Sequence, residues 1–238
     1  MNYLEFQKTI AISKEHLYQE IYQANRDRIQ VKKEATVIRN LARIFDAALE
    51  ISNEKGFQAM SMRDFSKETG LSMGALYSYF ASKDELLDMI LRQGRRLVLR
   101  ILEEHIHPIS DPVAKLETAI RVHIYLSEAL QPWFYFSFME AKNMSPKEKE
   151  KTIASELYTD QLLADILKEG QEARLFALRD PRQSASGIKA LLQDWYVKRW
   201  KYAKHHTEVD QYADFVVEFV MAYHRLDPAS IGNDGGTR

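Results

Sequence analysis

Residues 56–91 read GFQAMSMRDFSKETGLSMGALYSYFASKDELLDMIL, and this stretch decides the fold. It contains Ser61, Ser72 and Ser82 at intervals of about ten residues, and a serine hydroxyl can accept a hydrogen bond from a backbone N–H in the first turn of a helix. The first and last of these serines are followed three residues later by an acid, which completes a capping box. Gly70 can adopt the left-handed conformation that ends a helix. The stretch therefore predicts two helices of about two turns joined by a tight turn, a helix-turn-helix, with a longer helix after it.

The rest of the chain also has the spacing and punctuation of helices. Apolar residues recur at the i, i+3, i+4, i+7 and i+8 positions expected of one helix face, as in Leu41, Ile44, Phe45, Ala48 and Leu49. Further helix starts are predicted at the boxes Ser145 with Glu148 and Thr207 with Asp210, and at the pairs Asp111-Pro112 and Asp180-Pro181. The chain has only nine Gly and six Pro, and no turn dipeptide joins two alternating runs. These patterns predict an all-α fold.

Composition excludes several classes of protein. The absence of cysteine excludes a disulfide framework, a thiol nucleophile and a cysteine metal site. A net charge of -1 is unlike the basic surplus of a nucleic-acid binder. However, the positive charge of a small DNA-reading domain would be cancelled in this sum by the negative charge of a more acidic domain attached to it. We find neither a run of about 20 apolar residues that would span a membrane nor a signal peptide. We therefore expect a soluble cytoplasmic protein without a membrane partner.

Four segments are predicted along the chain: a helical N-terminal extension at 1–36, a helix-turn-helix domain at 37–84, a larger helical domain at 85–228 and a disordered tail at 229–238. The extension has two interpretations. It is either an arm that touches DNA or braces a dimer, or an amphipathic helix packed on its own chain.

The helix-turn-helix stretch closely resembles the DNA-binding domain of the TetR family of bacterial transcription regulators. The resemblance covers some 55 residues from about Ile38, under a quarter of the chain. Its matching pieces are Gly56-Phe57, Ser61-Met62-Arg63-Asp64-Phe65, Gly70, Gly74-Ala75-Leu76-Tyr77, Tyr79-Phe80 and Ser82-Lys83-Asp84-Glu85-Leu86-Leu87. The long segment ahead of the domain departs from the family pattern, and no sequence signature is recognised beyond residue 95.

A helix-turn-helix lays its second helix, here expected from Ser72 to Phe80, in the major groove of DNA. The small residues at its start allow the backbone to approach the bases, and its tyrosine hydroxyls can reach phosphates or base edges. By resemblance, Arg63 and Lys83 occupy positions that contact the DNA backbone or a base. The alternative is that each tyrosine is a packing residue and that Lys83 is a solvated surface charge. The predicted DNA contacts are Ser61, Arg63, Ser72, Met73, Gly74, Ala75, Tyr77, Ser78, Tyr79 and Lys83.

The resemblance also implies a homodimer with a helical ligand-binding domain. Aromatic residues crowd every face of the segment 131–140, so this helix must be buried all round or line a cavity. The candidate pocket residues are His123, Trp133, Phe136, Phe138, Met139 and Trp195; the alternative is that they form ordinary core. By resemblance, the last two predicted helices, at about 181–204 and 208–225, would form the dimer interface.

No catalytic residue, cofactor or metal site is predicted, because neither a nucleophile constellation nor a phosphate-binding loop is present and the histidines lack the spacing of ligands. The resemblance implies a repressor that leaves a palindromic, double-stranded DNA operator when a small apolar or amphipathic effector binds. The alternatives are a helical interaction protein that does not bind DNA and an enzyme that uses the aromatic-rich region.

Overall fold

The computed structural model describes residues 1–24, 26, 29 and 33–225. In this part of the chain there are eleven α-helices and one 3₁₀ helix, and there is no β-strand, so the all-α prediction is confirmed. The helices are α1 Tyr3–Ala24, α2 Glu34–Lys55, α3 Met62–Thr69, α4 Met73–Tyr77, α5 Lys83–Ile106, α6 Pro112–Ala129, α7 Gln131–Met139, the 3₁₀ helix Glu140–Asn143, α8 Pro146–Glu172, α9 Pro181–Val197, α10 Arg199–Lys204 and α11 Val209–His224. The tail predicted at 229–238 lies outside the described residues. Among those that are described, no helix combines the length and apolar character needed to cross a bilayer.

The serine caps that predicted the first short helices are confirmed. The Ser61 hydroxyl accepts the backbone N–H of Asp64 at 3.1 Å, and the Ser72 hydroxyl accepts that of Ala75 at 3.2 Å. The Ser82 hydroxyl likewise accepts a backbone N–H at 3.1 Å from the residue three positions later. Gly70 ends α3 with φ 61°, in the left-handed region. Local hydrogen bonds thus fix the boundaries of α3, α4 and α5.

Later helix starts follow the predictions with one exception. Asp111 and Asp180 accept backbone N–H groups in the first turns of α6 and α9. The predicted box at Thr207 is wrong, because α11 is capped by Glu208, whose box partner is Gln211. The carboxylate of Asp210, which was expected to complete the Thr207 box, instead accepts a hydrogen bond from the Tyr125 hydroxyl at 2.5 Å.

The chain divides into two compact units. The first comprises Tyr3–Leu99 and Ala129–Ile153, and it therefore holds α7 together with the helix-turn-helix. Within it, α2 packs against α1, α3 and α7. This unit is larger than the predicted DNA-binding domain, since it also contains the predicted N-terminal extension from Tyr3 onward and residues 85–99 and 129–153.

The second unit comprises residues 100–128 and 154–225 of the described chain. Its core includes Trp195, which is fully buried and stacked on Tyr212 with ring centroids 4.8 Å apart. The indole N–H of Trp195 donates to Glu128 at 3.0 Å, and Arg199 donates to the same carboxylate at 2.9 Å. The helix predicted at 181–204 is interrupted at Lys198, so it forms α9 and α10.

Candidate nucleic-acid interface

The helix-turn-helix is held together by a small aromatic and aliphatic core. Phe65 of α3, Leu76 of α4 and Phe80 after α4 are all buried, and the two phenylalanine rings lie 6.1 Å apart. The second helix is shorter than predicted: α4 ends at Tyr77, and Ser78 begins the turn that leads to α5. The core fixes α4 against α3 although α4 has only five residues.

Half of the predicted DNA contacts are exposed to solvent. Ser61, Arg63, Ser72, Gly74 and Tyr77 are exposed, and a Cβ atom built on Gly74 would meet nothing within 4 Å. Three other members of the predicted set are partly exposed, namely Met73, Ala75 and Ser78. The first turn of α4 therefore offers an open surface that another molecule can approach closely.

Tyr79 is placed differently from the rest of the predicted set. Its side chain is 3% exposed, and its hydroxyl accepts a hydrogen bond from the side-chain amide of Asn40 on α2 at 2.8 Å. Burial raises the pKa of Tyr79. The hydroxyl thus ties the end of the helix-turn-helix to α2, and a DNA contact by Tyr79 stays a prediction.

Lys83 also has partners within the unit. Its ammonium group donates to the carbonyl oxygens of Gln58 at 3.0 Å and Met60 at 2.9 Å, and it lies 5.1 Å from the centre of the Phe57 ring. Burial lowers the pKa of Lys83. An ammonium group has three donors, so Lys83 can hold the loop before α3 and still direct one N–H to a phosphate.

Two exposed arginines of α2, which are not among the predicted contacts, lie beside the helix-turn-helix. A Cβ atom on Gly70 would lie 2.7 Å from Arg43 Nη2, which places the guanidinium over the turn between α3 and α4. Arg39 lies one helical turn earlier and is close enough to Tyr79 to act on the pKa of its phenol. Both arginines are exposed on the side of α2 opposite its buried residues, and this periodicity is the signal that could have identified them.

The predicted pocket residues of α7 lie in different surroundings. Trp133 lines a cleft of about 490 Å³ in the first unit. Phe136 is buried, with its ring 5.9 Å from that of Phe57. Phe138 and Met139 are 48% and 47% exposed. Only one of the four therefore lines this cleft.

The other two predicted pocket residues, His123 and Trp195, belong to the second unit. His123 is buried beside Lys189 and Thr159, where the remaining space is only about 10 Å³. Burial, and then the nearby charge of Lys189, hold the pKa of His123 well below its usual value. The six predicted residues are divided between the two units, and their role in ligand binding stays a prediction.

Among the described residues, no group of three or more His, Cys, Asp or Glu side chains is arranged to hold a metal ion.

Two known domain families match the chain. Residues 44–90 match the family described as "Bacterial regulatory proteins, tetR family". Residues 110–223 match the family described as "Tetracyclin repressor-like, C-terminal domain". The first match includes α3 and α4, and the second covers most of the chain that follows.

Similar proteins are regulators. The chain is 23% identical to the fatty acid metabolism regulator protein of Bacillus subtilis over 169 residues, which span 67% of this chain and 84% of that protein. The structure of the TetR-family regulator PfmR from Thermus thermophilus is 26% identical with a TM-score of 0.69, and the match covers 76% of this chain and 97% of that one. AibR, whose structure contains isovaleryl coenzyme A and operator DNA, is 18% identical with a TM-score of 0.68, over 76% of this chain and 97% of that one.

Proposed function

Because the chain belongs to the TetR family of bacterial transcription regulators, we propose that it is a homodimeric repressor that leaves a palindromic operator when a small molecule binds. The observation that carries the proposal is the capped α3–α4 pair, which presents the exposed start of α4. A helix in this position enters the major groove, and the helix before it crosses the DNA backbone.

The DNA contacts of one subunit follow from the exposed groups. The exposed members of the predicted set at the start of α4 face the bases, while Arg63 on α3 neutralises a phosphate. Arg39 and Arg43 add positive charge beside the turn. A few such contacts in each subunit are sufficient when two subunits bind together, since affinity grows with the number of phosphates neutralised.

The proposed dimer interface lies on α9 and α11. Phe215, Phe219 and Tyr223 are about half exposed and follow one another at intervals of four residues, so they form one apolar stripe on α11. Beside this stripe is a groove of about 450 Å³, lined by residues of both helices that include Ile188 and Leu191. An exposed aromatic stripe of this kind marks an interaction surface, and a second copy related by two-fold symmetry would present the same stripe and groove.

The effector is proposed to be a small apolar or amphipathic molecule, and regulation proceeds by binding rather than by catalysis. A ligand releases DNA only if it binds the DNA-incompetent arrangement of the protein more tightly than the competent one. The isovaleryl coenzyme A bound to AibR supports a small-molecule effector as a class. Because its target is bacterial DNA, the protein acts in the cytoplasm.

The proposal is tested by selecting genomic fragments on the purified protein at low salt and measuring the affinity of a selected fragment by fluorescence anisotropy. Arg63→Ala is expected to raise the Kd about tenfold and to reduce the salt slope by about two, because one phosphate contact is lost in each of the two subunits. The matched control is Arg182→Ala, which removes an exposed arginine of the second unit and should leave both quantities unchanged.

The alternatives predict other results. Failure to retain any fragment at low salt would favour a helical interaction protein that does not bind DNA. Chemical turnover of a bound small molecule would favour an enzyme. A selected fragment that binds one copy of the chain instead of two would contradict the homodimer.

A further inference from the structure

The cleft of about 490 Å³ lies wholly in the first unit and is bordered by α1, α2, α5 and the start of α7. Three aromatic side chains, Tyr18, Phe45 and Trp133, form part of its wall, and most of the other lining residues are aliphatic. Its volume lies within the range of ordinary small-molecule sites. A ligand in this cleft would touch the same helix α2 that supports the helix-turn-helix.

The polar lining of the cleft is negatively charged. Asp46, Glu50 and Glu54 line it from successive turns of α2, and no lysine, arginine or histidine is among the described side chains that line it. Glu50 and Glu54 form neither a hydrogen bond nor an ion pair with any other residue in the described part of the chain. Like charges four residues apart repel each other along a helix, so a bound cation would relieve this repulsion.

The electrostatic field extends to the aromatic wall. The pKa of the Tyr18 phenol is raised well above its ordinary value, first by burial and then by the charge of Asp46. Burial and the nearby carboxylate therefore both oppose ionisation of this phenol. The same field would attract a positive group, and aromatic faces add to that attraction.

Trp133 is held in a fixed position in the wall. Its indole N–H donates to the backbone carbonyl of Ile90 at 3.1 Å. The ring also lies directly against Gly94, where an added Cβ atom would come within 1.9 Å of it. A glycine on α5 therefore makes room for the indole, and the wall is formed before any ligand binds.

We propose that this cleft binds a small hydrophobic cation, with the apolar body against the aromatic wall and the positive group beside Glu50 and Glu54. The carboxylates of Glu50 and Glu54 disfavour anionic ligands, including carboxylates and coenzyme A thioesters. The inference names the chemical class of the effector and rests on the proposed function for its regulatory consequence alone. Binding itself requires no DNA.

The test is calorimetric titration of the full chain with two probes that share one apolar body, 4-phenylbutyltrimethylammonium and 4-phenylbutyrate. We expect the cation to bind and the anion to bind at least about tenfold more weakly, because the carboxylates attract one and repel the other. The double variant E50Q/E54Q keeps the shape of both side chains and is expected to weaken binding of the cation about tenfold. The matched control is E34Q, which removes an exposed carboxylate from the first turn of α2, outside the cleft, and should change the Kd less than about twofold.

A second variant tests the location of the site. Leu49 lines the cleft and is only partly buried, so L49W fills space with little disturbance of the core and should abolish binding of the cation. Equal affinity for the two probes, or unchanged affinity in both E50Q/E54Q and L49W, overturns the inference. A chain that retains DNA but binds neither probe overturns the inference alone, whereas one that binds the cation but no DNA overturns the proposed function alone.

Discussion

The two ends of one face of α2 carry opposite charge. Arg39, Arg43, Asp46, Glu50 and Glu54 follow one another at intervals of four, three, four and four residues, so they share one exposed face of the helix. The basic end borders the helix-turn-helix, and the acidic end lines the cleft. Under the two proposals, a single helix offers a polyanion and a cation separate binding surfaces, and a whole-chain net charge of -1 conceals its two charged ends.

The largest expected effect comes from reversing the basic end. We expect R39E/R43E to raise the Kd for a selected DNA fragment about a hundredfold and to lower the salt slope by about four, because two phosphate contacts in each of the two subunits are replaced by repulsion. Anisotropy titrations at several salt concentrations measure both quantities. The control R182E/K204E makes the same change in net charge at exposed positions of the second unit, and equal losses in both variants would contradict a local role for α2.

Reversal of the acidic end should affect the other ligand. In E50K/E54K the Kd for 4-phenylbutyltrimethylammonium is expected to rise about thirtyfold, since attraction becomes repulsion at the rim of the cleft. DNA affinity should change less than about threefold if the two ends act separately. The control is E150K/E172K, which has the same net charge and changes exposed positions of α8, outside α2 and outside the proposed dimer interface. A large change in DNA affinity specific to E50K/E54K would show that the two ends form one surface.

A smaller effect, on stability, is expected from the buried hydrogen bond between Asn40 of α2 and Tyr79. Tyr79→Phe leaves the Asn40 amide buried without its partner, so it should lower the free energy of unfolding by about 1–2 kcal/mol. In the double variant N40L/Y79F the two effects should be less than additive, and DNA affinity should follow stability. Urea unfolding and anisotropy provide the measurements.

The control is Tyr77→Phe, which changes an exposed position of α4 and should leave the free energy of unfolding unchanged. A loss of DNA affinity in Y79F without a loss of stability would instead assign Tyr79 to the DNA contact.

The smallest effect concerns the helix dipole. Glu54 lies in the last turn of α2, beside the negative end of the helix, so E54Q should raise the free energy of unfolding by about 0.3 kcal/mol. Glu34 lies in the first turn, and E34Q should lower it by a similar amount. Urea unfolding at low ionic strength compares the two variants. The same sign for both would show that the dipole does not set the stability of this helix.

The sequence predicts best those features that are fixed by neighbouring residues. The caps at Ser61, Ser72 and Ser82 are local hydrogen bonds, so their spacing was sufficient to place α3, α4 and α5. The resemblance to TetR regulators was likewise carried by one contiguous stretch, and the family matches confirm it.

Features that depend on distant residues were not predictable in the same way. The partner of Tyr79 lies 39 residues earlier, and Lys83 reaches back to carbonyl groups more than 20 residues away. The cleft exists because Trp133 of α7 lies against Gly94 of α5, which spacing along either helix does not reveal. Thr207 was misjudged because Asp210 has a tertiary partner that competes with a local box.

The five-residue length of α4 limits how its recognition surface can be transferred. A helix this short is unstable on its own, because its few hydrogen bonds do not offset the entropy lost when its first turn forms. Packing against the surrounding core must therefore stabilise it. A synthetic peptide of this segment will therefore be a coil with no preference among DNA sequences. DNA sequence specificity is better altered by substituting exposed side chains of α4 within the intact unit. The core residues Phe65, Leu76 and Phe80 should be left unchanged.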